Sequence, residues 1–149
     1  MEMMVVLAII CILALFAIPI PTDNVSRKQI AESLDLIENY KKPIADLYAL
    51  NQKFPSNNDE AGMPAPPLLL GNFVNRIEVE NGSFHLYFGN KAHPNIKDKI
   101  LSIRPIAVKD SPASPISWVC GYSAVPEGMI AGGENRTSIE RKSLPVGCR

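Results

Sequence analysis

The sequence lacks most of the features that mark enzymes, metal proteins and nucleic-acid-binding proteins. Its 15 lysines and arginines balance 15 aspartates and glutamates, so no net charge points to a polyanionic partner. Its three cysteines and two histidines are spaced too widely for a CxxC redox motif or a zinc site. No nucleophile, base and orienting group stand at a recognised spacing. We therefore expect a protein that is not an enzyme and holds no cofactor and no metal.

Charge is also missing from the 18 residues between Met3 and Ile20. A helix of that length is ~27 Å long and can span a bilayer. A secretory signal peptide is the alternative interpretation, but the basic segment and the small-residue cleavage site of such peptides are missing. We therefore predict that residues 1–22 form a retained, apolar half-helix that spans a membrane or fills the core of an assembly.

Two features do not suit an ordinary membrane anchor, namely an acid at its start and two prolines near its end. Glu2 precedes the apolar run, and an unpaired carboxylate in a dry environment costs several kcal/mol. Either a cationic partner neutralises Glu2, or Glu2 stays at the membrane interface near the positive end of the helix dipole. Pro19 lacks an amide donor, as does Pro21, so we predict a break in the helix there. Cys11 lies inside the run, where we expect it to act as a small buried hydrophobic residue.

An amphipathic helix is predicted for residues 23–52, the start of a head domain that covers residues 23–149. Pro43 should bend this helix without ending it, because the apolar pattern resumes in phase after it. The opposite face is charged, so one side should pack on a compact domain. The apolar positions recur every three to four residues, at Ile30, Leu34, Ile37, Ile44, Leu47 and Leu50.

The remaining sequence predicts a loop over 53–72, an antiparallel sheet of about four strands over 73–120, and a disulfide-bounded region over 120–148. Asn81-Gly82 between two alternating runs is typical of a β-hairpin. A long helix with an apolar first half, packed on this sheet, gives an α+β fold. Pro105 favours an edge position or a change of direction in the third strand.

A pair of cysteines and a group of basic residues in the second half of the chain lead to two further predictions. Cys120 and Cys148 lie in a polar region, where such a pair suggests a disulfide formed in an oxidising compartment. We expect this bond to order a segment that has too few apolar residues to be ordered by core burial. Lys97, Lys99 and Arg104 form a possible basic patch for DNA. Solvated strand edges look the same, and that interpretation is favoured.

The fragments MEMMVVLAIICILALFAIPIP, RKQIAESLDLIENYKKPIADLYALNQKFPSNNDEAG and WVC…LPVGC, in this order, resemble type IVa pilins along essentially the whole chain. The resemblance implies a main structural subunit that waits in the inner membrane and is polymerised by the pilus assembly machinery into an extracellular filament. Such filaments serve adhesion, twitching motility or DNA uptake. By similarity, Glu2 is the assembly glutamate that pairs with the N-terminal amine of an adjacent identical subunit, and Pro19 is the helix-breaking proline.

The chain departs from this family's pattern in two places. The family's mature chain begins with a methylated phenylalanine four residues before the glutamate, so we expect a leader peptide and three further residues before Met1. Cys11 stands where the family usually has a glycine. The alternatives within the family are a minor pilin, a secretion-system pseudopilin or a DNA-binding competence pilin. Pseudopilins of the major type commonly lack the C-terminal disulfide, which argues against that alternative.

Overall fold

The fold is that of a computed structural model, which describes residues 2–17 and 22–149, without the side chains of Glu2 and Thr22. Helix α1 covers Glu2–Leu15 and helix α2 covers Thr22–Asn51. The breaks predicted at Pro19 and Pro21 lie outside the described residues. Within those residues, no helix is both long enough and apolar enough to cross a membrane.

Helix α2 buries one narrow stripe against the head. Ile30, Ile37 and Ile44 are fully buried, because a seven-residue spacing returns to nearly the same side of an α-helix after two turns. Pro43 lies inside α2 and is exposed, so it does not end the helix, as predicted. Leu50 was predicted to face the core, which is wrong: it is 81% exposed, because at 3.6 residues per turn it lies about 120° around α2 from the buried Ile44.

The head contains a five-stranded antiparallel sheet in which strands β1 to β4 are neighbours in chain order and β5 pairs with β3. The Asn81-Gly82 hairpin turn is confirmed, with both residues at positive φ. The 53–72 loop is irregular except for a single 3₁₀ turn. The strands are β1 Val74–Glu80, β2 Ser83–Phe88, β3 Ile100–Val108, β4 Ser117–Cys120 and β5 Met129–Ala131.

Pro105 lies in the central strand β3 and not in an edge strand, which corrects one of its two predicted placements. The β2 ladder ends at Ile103, and the β5 ladder begins at Ile106. The carbonyl of Pro105 accepts a hydrogen bond from the Gly132 amide (2.8 Å), on the side where β2 and β5 pair. The nitrogen of Pro105 points to the same side, because N–H and C=O of one strand residue share a side. Position 105 therefore lies in the gap between the β2 and β5 ladders, where the hydrogen-bond donor that proline lacks is not needed.

The two faces of the sheet have different chemistry, which follows from strand register. Ile77 pairs with Leu86, and Leu86 pairs with Leu101, so these apolar side chains share the face that packs on the α2 isoleucines. One residue further along each strand, Glu78, His85 and Ser102 line up on the other face. This polar face is covered by the C-terminal part of the chain.

The disulfide between Cys120 and Cys148 is present, as predicted. The expectation that core burial plays no part in ordering the segment between them is wrong. Ile139 and Leu144 are fully buried and belong to the hydrophobic core. The segment also supplies β5, a short strand that was not predicted. Two apolar residues and a strand therefore hold this segment, in addition to the disulfide.

Candidate functional site

The most unusual surface of the described chain is α1. Its large apolar side chains, together with Phe16, are between 51% and 83% exposed and lie all around the helix. A helix that is apolar on every side is stable in water only when other groups bury it. Cys11 is a free, exposed cysteine on this helix, so it is not buried within its own chain as we expected. The α1 surface therefore needs cover from lipid or from other chains.

The predicted assembly residues lie at or beyond the limits of the described structure. Glu2 is the first residue of α1, but its side chain is outside the described residues. Pro19, the predicted helix-breaking residue, is outside them too. Both assignments stay predictions. Cys120 and Cys148 lie at the opposite end of the chain, where their disulfide joins strand β4 to the last 3₁₀ turn.

Lys97, Lys99 and Arg104 do not gather into one compact cluster. Lys97 is exposed on the turn before β3, and Lys99 Nζ lies 4.0 Å from Glu140 Oε1. Arg104 is half-buried in the middle of β3, five residues beyond Lys99, which corresponds to ~17 Å along a strand. The guanidinium Nε of Arg104 is buried. The role of these residues in DNA binding stays a prediction.

A polar cluster on the covered face of the sheet was not predicted. The fully buried His85 ring contacts the Ser102 hydroxyl through Nδ1 (2.9 Å) and lies 3.4 Å from Glu80 Oε2 through Nε2. Arg136 reaches the same carboxylate oxygen at 2.7 Å, and its backbone amide donates to Ser102 Oγ at 2.8 Å. This cluster fixes the C-terminal segment to the sheet by polar contacts.

The electrostatics of this cluster favour a neutral histidine. Burial lowers the pKa of His85, and the guanidinium of Arg136 lowers it further, while Glu80 and Glu78 act in the opposite direction. In a neutral ring the Ser102 hydroxyl donates to Nδ1, while Nε2 lies 3.4 Å from Glu80 Oε2 and has no hydrogen-bond partner among the described residues. The sequence did contain a signal for this arrangement. Counting residues outward along both strands from the Asn81-Gly82 turn places Glu78 opposite His85.

Two exposed carboxyls outside this cluster are also perturbed. A hydrogen bond from the Ser56 amide lowers the pKa of Glu60. A hydrogen bond from Lys142 lowers the pKa of Glu140, and the same contact raises the pKa of Lys142. These are ordinary surface pairs, since all the groups are in water, where such interactions contribute little to stability.

A groove with a volume of about 510 Å³ lies between the 53–72 loop and β1. Its lining includes Asn58, Glu78, Glu80 and Arg136. No group of three or more potential metal ligands occurs in the described parts of the chain, so the groove has no donor set for a cation there. Nothing in it pairs a nucleophile with a base. The surface of α1 is therefore the candidate functional site.

Comparison with known proteins agrees with a role in assembly. Residues 26–149 match the model of a family described as pilin, a bacterial filament protein. The chain is 32% identical to a type IV major pilin protein of Neisseria gonorrhoeae, in an alignment that covers 99% of this chain and 83% of the relative. It is 28% identical to a fimbrial protein of Neisseria meningitidis, with coverage of 99% and 90%. Identity to a fimbrial protein of Eikenella corrodens is 35%, with coverage of 99% and 86%.

Proposed function

The chain belongs to the pilin family and is a structural subunit of a type IV pilus, and from this premise we propose that it is the main subunit of a helical homopolymer. The observation that carries the proposal is the exposed apolar surface of α1. A second copy of the same helix is the simplest cover for such a surface. The filament then has α1 helices at its centre and heads outside.

Assembly transfers the same surface from one apolar environment to another. We propose that the apolar run, from Met3 to Ile20, is held by inner-membrane lipid before assembly and by neighbouring helices afterwards. Burial of a large apolar side chain contributes about 1.5 to 3 kcal/mol relative to water. Since α1 carries such side chains on every side, release of the subunit into water is strongly unfavourable. The pilus assembly machinery must therefore move subunits directly from membrane to filament.

Glu2 then determines the axial register of the subunits. A carboxylate among apolar helices is stable only when a cation pairs with it, and the N-terminal amine of an adjacent subunit is the proposed partner. The head tolerates this arrangement, because its core and disulfide do not involve α1. Adhesion, twitching motility and DNA uptake are the uses proposed for the filament, and their partners would contact the heads.

The test is Glu2→Gln in the full-length chain. We expect normal amounts of subunit in the membrane fraction and a near-complete loss of filaments sheared from the cell surface. Removal of one partner of a buried ion pair costs about 3 to 5 kcal/mol, repeated at every contact. Glu127→Gln is the control, because that carboxyl is exposed in a turn of the head. Normal filaments from Glu2→Gln would refute the assembly role of Glu2.

A further inference from the structure

Three segments of the head meet at the first turns of α2. Asp23 Oδ1 accepts hydrogen bonds from Asn95 Nδ2 (3.4 Å) and from Ser143 Oγ (3.3 Å). Arg27 Nη2 donates to the carbonyl of Lys142 at 2.7 Å. The turn that follows β2 and the 3₁₀ turn Arg141–Ser143 are thus fastened on either side of the start of α2. Charged side chains on all three segments share one end of the head.

The charges at this end are mainly positive. Arg27, Lys28, Lys97 and Arg141 have no carboxylate within 4.0 Å among the described residues, whereas Nζ of Lys142 lies 2.9 Å and Nζ of Lys99 lies 4.0 Å from Glu140. The acids here are Asp98, Glu140 and Asp23, so bases outnumber acids at this end. We leave out Lys99 and call the other five bases the basic collar: Arg27, Lys28, Lys97, Arg141 and Lys142.

The collar follows the apolar run closely in the chain. Asp23 is three residues after Ile20, the last residue of the run, and Lys28 is ~8 Å further along α2 at the rise of an α-helix. The polar headgroup layer on each side of a bilayer is ~5 to 8 Å thick. When the apolar run lies in the hydrocarbon, the first turns of α2 therefore lie in or next to the headgroups.

The opposite end of the head has a different charge. There the chain leaves α2, and the carbonyl of Pro55 accepts a hydrogen bond from Gly82 in the hairpin turn. The exposed ionisable residues of the nearby loops have both signs: they include the acids Asp59, Glu127 and Glu134 and the bases Lys53 and Lys109. An excess of bases at the end next to the apolar run, with mixed charge at the far end, is the polarity that a negatively charged surface would select.

We propose that the basic collar binds the anionic phosphate headgroups of the bilayer in which the subunit waits before assembly. This interaction rests on the proposed membrane-anchored state and adds a role for the head within it. Headgroup contact holds the head upright on the membrane. Each base next to an anionic membrane contributes roughly a fivefold change in occupancy, and the attraction weakens as salt shortens the Debye length.

The experiment compares full-length subunit in two vesicle preparations, one of phosphatidylcholine alone and one of equal parts phosphatidylcholine and phosphatidylglycerol. Amide hydrogen exchange is followed by mass spectrometry in residues 93–98 and 141–143, which contain Lys97, Arg141 and Lys142 of the collar. We expect exchange there to be several-fold slower on the anionic vesicles, and the difference to vanish in 1 M salt, where the Debye length is ~3 Å.

Two sets of variants separate local charge from net charge. The collar variant combines Lys28→Gln, Lys97→Gln and Arg141→Gln, and it should remove the difference between the two vesicle types. Arg27 and Lys142 are left intact because their contact joins α2 to the 3₁₀ turn. The control variant, which should keep the difference, changes exposed bases outside the collar: Lys42→Gln, Lys53→Gln and Lys109→Gln.

The outcomes distinguish this proposal from the proposed function. A subunit that is washed off both vesicle types by carbonate would contradict the membrane-anchored state itself. Stable insertion with equal exchange on both vesicles would overturn the collar proposal alone. Equal loss of protection in the collar and control variants would also overturn it, because the effect would then follow net charge. Duplex DNA that slows exchange in the same segments, when anionic vesicles do not, would reassign the collar to nucleic acid.

Discussion

The contacts of a single side chain, Asn58, cover part of the edge of β1. Asn58 Oδ1 accepts a hydrogen bond from the Val79 amide (2.7 Å), and Asn58 Nδ2 donates to the Ile77 carbonyl (3.0 Å). The side-chain amide therefore takes the place of a peptide group from a further strand. Unpaired edge groups are sites of unwanted strand pairing, and Asn58 covers two of them.

Asn58→Ala should therefore destabilise the head. It leaves the Val79 amide and the Ile77 carbonyl unpaired, and each unsatisfied buried group costs about 1 to 3 kcal/mol. We expect a loss of roughly 2 to 4 kcal/mol in the free energy of unfolding. Denaturant titration of the full-length subunit in detergent, followed by fluorescence of Trp118, the only tryptophan, measures it.

Asn57→Ala is the matched control for Asn58. Its side chain is exposed and accepts one hydrogen bond, from the Glu60 amide, so its loss should cost less than about 1 kcal/mol. If both variants had the same free energy of unfolding, the edge contacts of Asn58 would contribute no more to stability than a hydrogen bond in a surface turn, and the prediction would be wrong.

His85 predicts how stability depends on pH. Because burial lowers its pKa in the folded state, the unfolded chain binds a proton more readily below about pH 6.5. The stabilisation is complete above that pH and is lost as pH falls toward the lowered pKa. The free energy of unfolding should therefore decrease between pH 7 and pH 5, by at most ~1.4 kcal/mol per pH unit from this group. His85→Gln should flatten the slope.

His93→Gln is the control for the pH experiment, since it removes the other histidine of the chain. That ring lies at the start of α2, against Ser26, and is separate from the Glu80–Arg136 pair. A slope that survives in His85→Gln and disappears in His93→Gln would assign the pH dependence to the wrong end of the head and refute the prediction.

At the scale of elements, sequence patterns predicted those parts of the fold that have a local signal. The Asn81-Gly82 pair gave the first hairpin, and apolar spacing gave α2 with its buried isoleucines. Strand β5 and the burial of Ile139 were missed, because single apolar residues in a polar segment show no periodicity. Their burial depends on β3 and the core, which are distant in sequence, and local pattern carries no information on such contacts.

The burial of Ile139 predicts that core packing stabilises the disulfide-bounded segment. If core burial helps to order it, Ile139→Ala should cost about 2 to 5 kcal/mol, as for other fully buried isoleucines. That is comparable to the ~3 to 4 kcal/mol expected for loss of a disulfide that closes a loop of this size. Urea unfolding of both variants, Ile139→Ala and Cys120→Ser, compares the two contributions.

Ile130→Ala provides the control, because Ile130 belongs to the same segment but is 49% exposed. Ile130→Ala should change the free energy of unfolding by no more than about 0.5 kcal/mol, the usual range for surface positions. A similarly small effect of Ile139→Ala would mean that the disulfide alone orders the segment, as its composition first suggested.

At the scale of the whole molecule, function was predictable because its signal lies in the order of the motifs along the chain. An apolar run, an amphipathic helix and a C-terminal cysteine pair, in this order, resemble a known family of filament subunits, and that resemblance predicted the function before any contact was known. The site itself was only partly predictable. Glu2 acts through a neighbouring chain in our proposal, and the partner of an intermolecular contact cannot be derived from one subunit. The polar cluster around His85 needed the strand register.

The charge distribution over the whole chain predicts only weak binding of DNA. Net charge is zero, Lys99 lies near Glu140, and Arg104 is half-buried ~17 Å along β3 from Lys99. Lys97, Lys99 and Arg104 should therefore act as a solvated face. We expect purified filaments to bind duplex DNA weakly in titrations at several salt concentrations, with a shallow salt slope, because few phosphates are neutralised at one site.

The triple variant Lys97→Gln, Lys99→Gln and Arg104→Gln should bind DNA as weakly as the unchanged filament, within error. The same change at Lys42, Lys53 and Lys109 is the control for the loss of three positive charges. Tight binding with a steep salt slope, lost in the first variant and kept in the second, would contradict the prediction. In that case the heads would bring these bases together across neighbouring subunits, since ~17 Å within one chain is too far for one local phosphate site. DNA recognition would then be a property of the filament and not of the subunit.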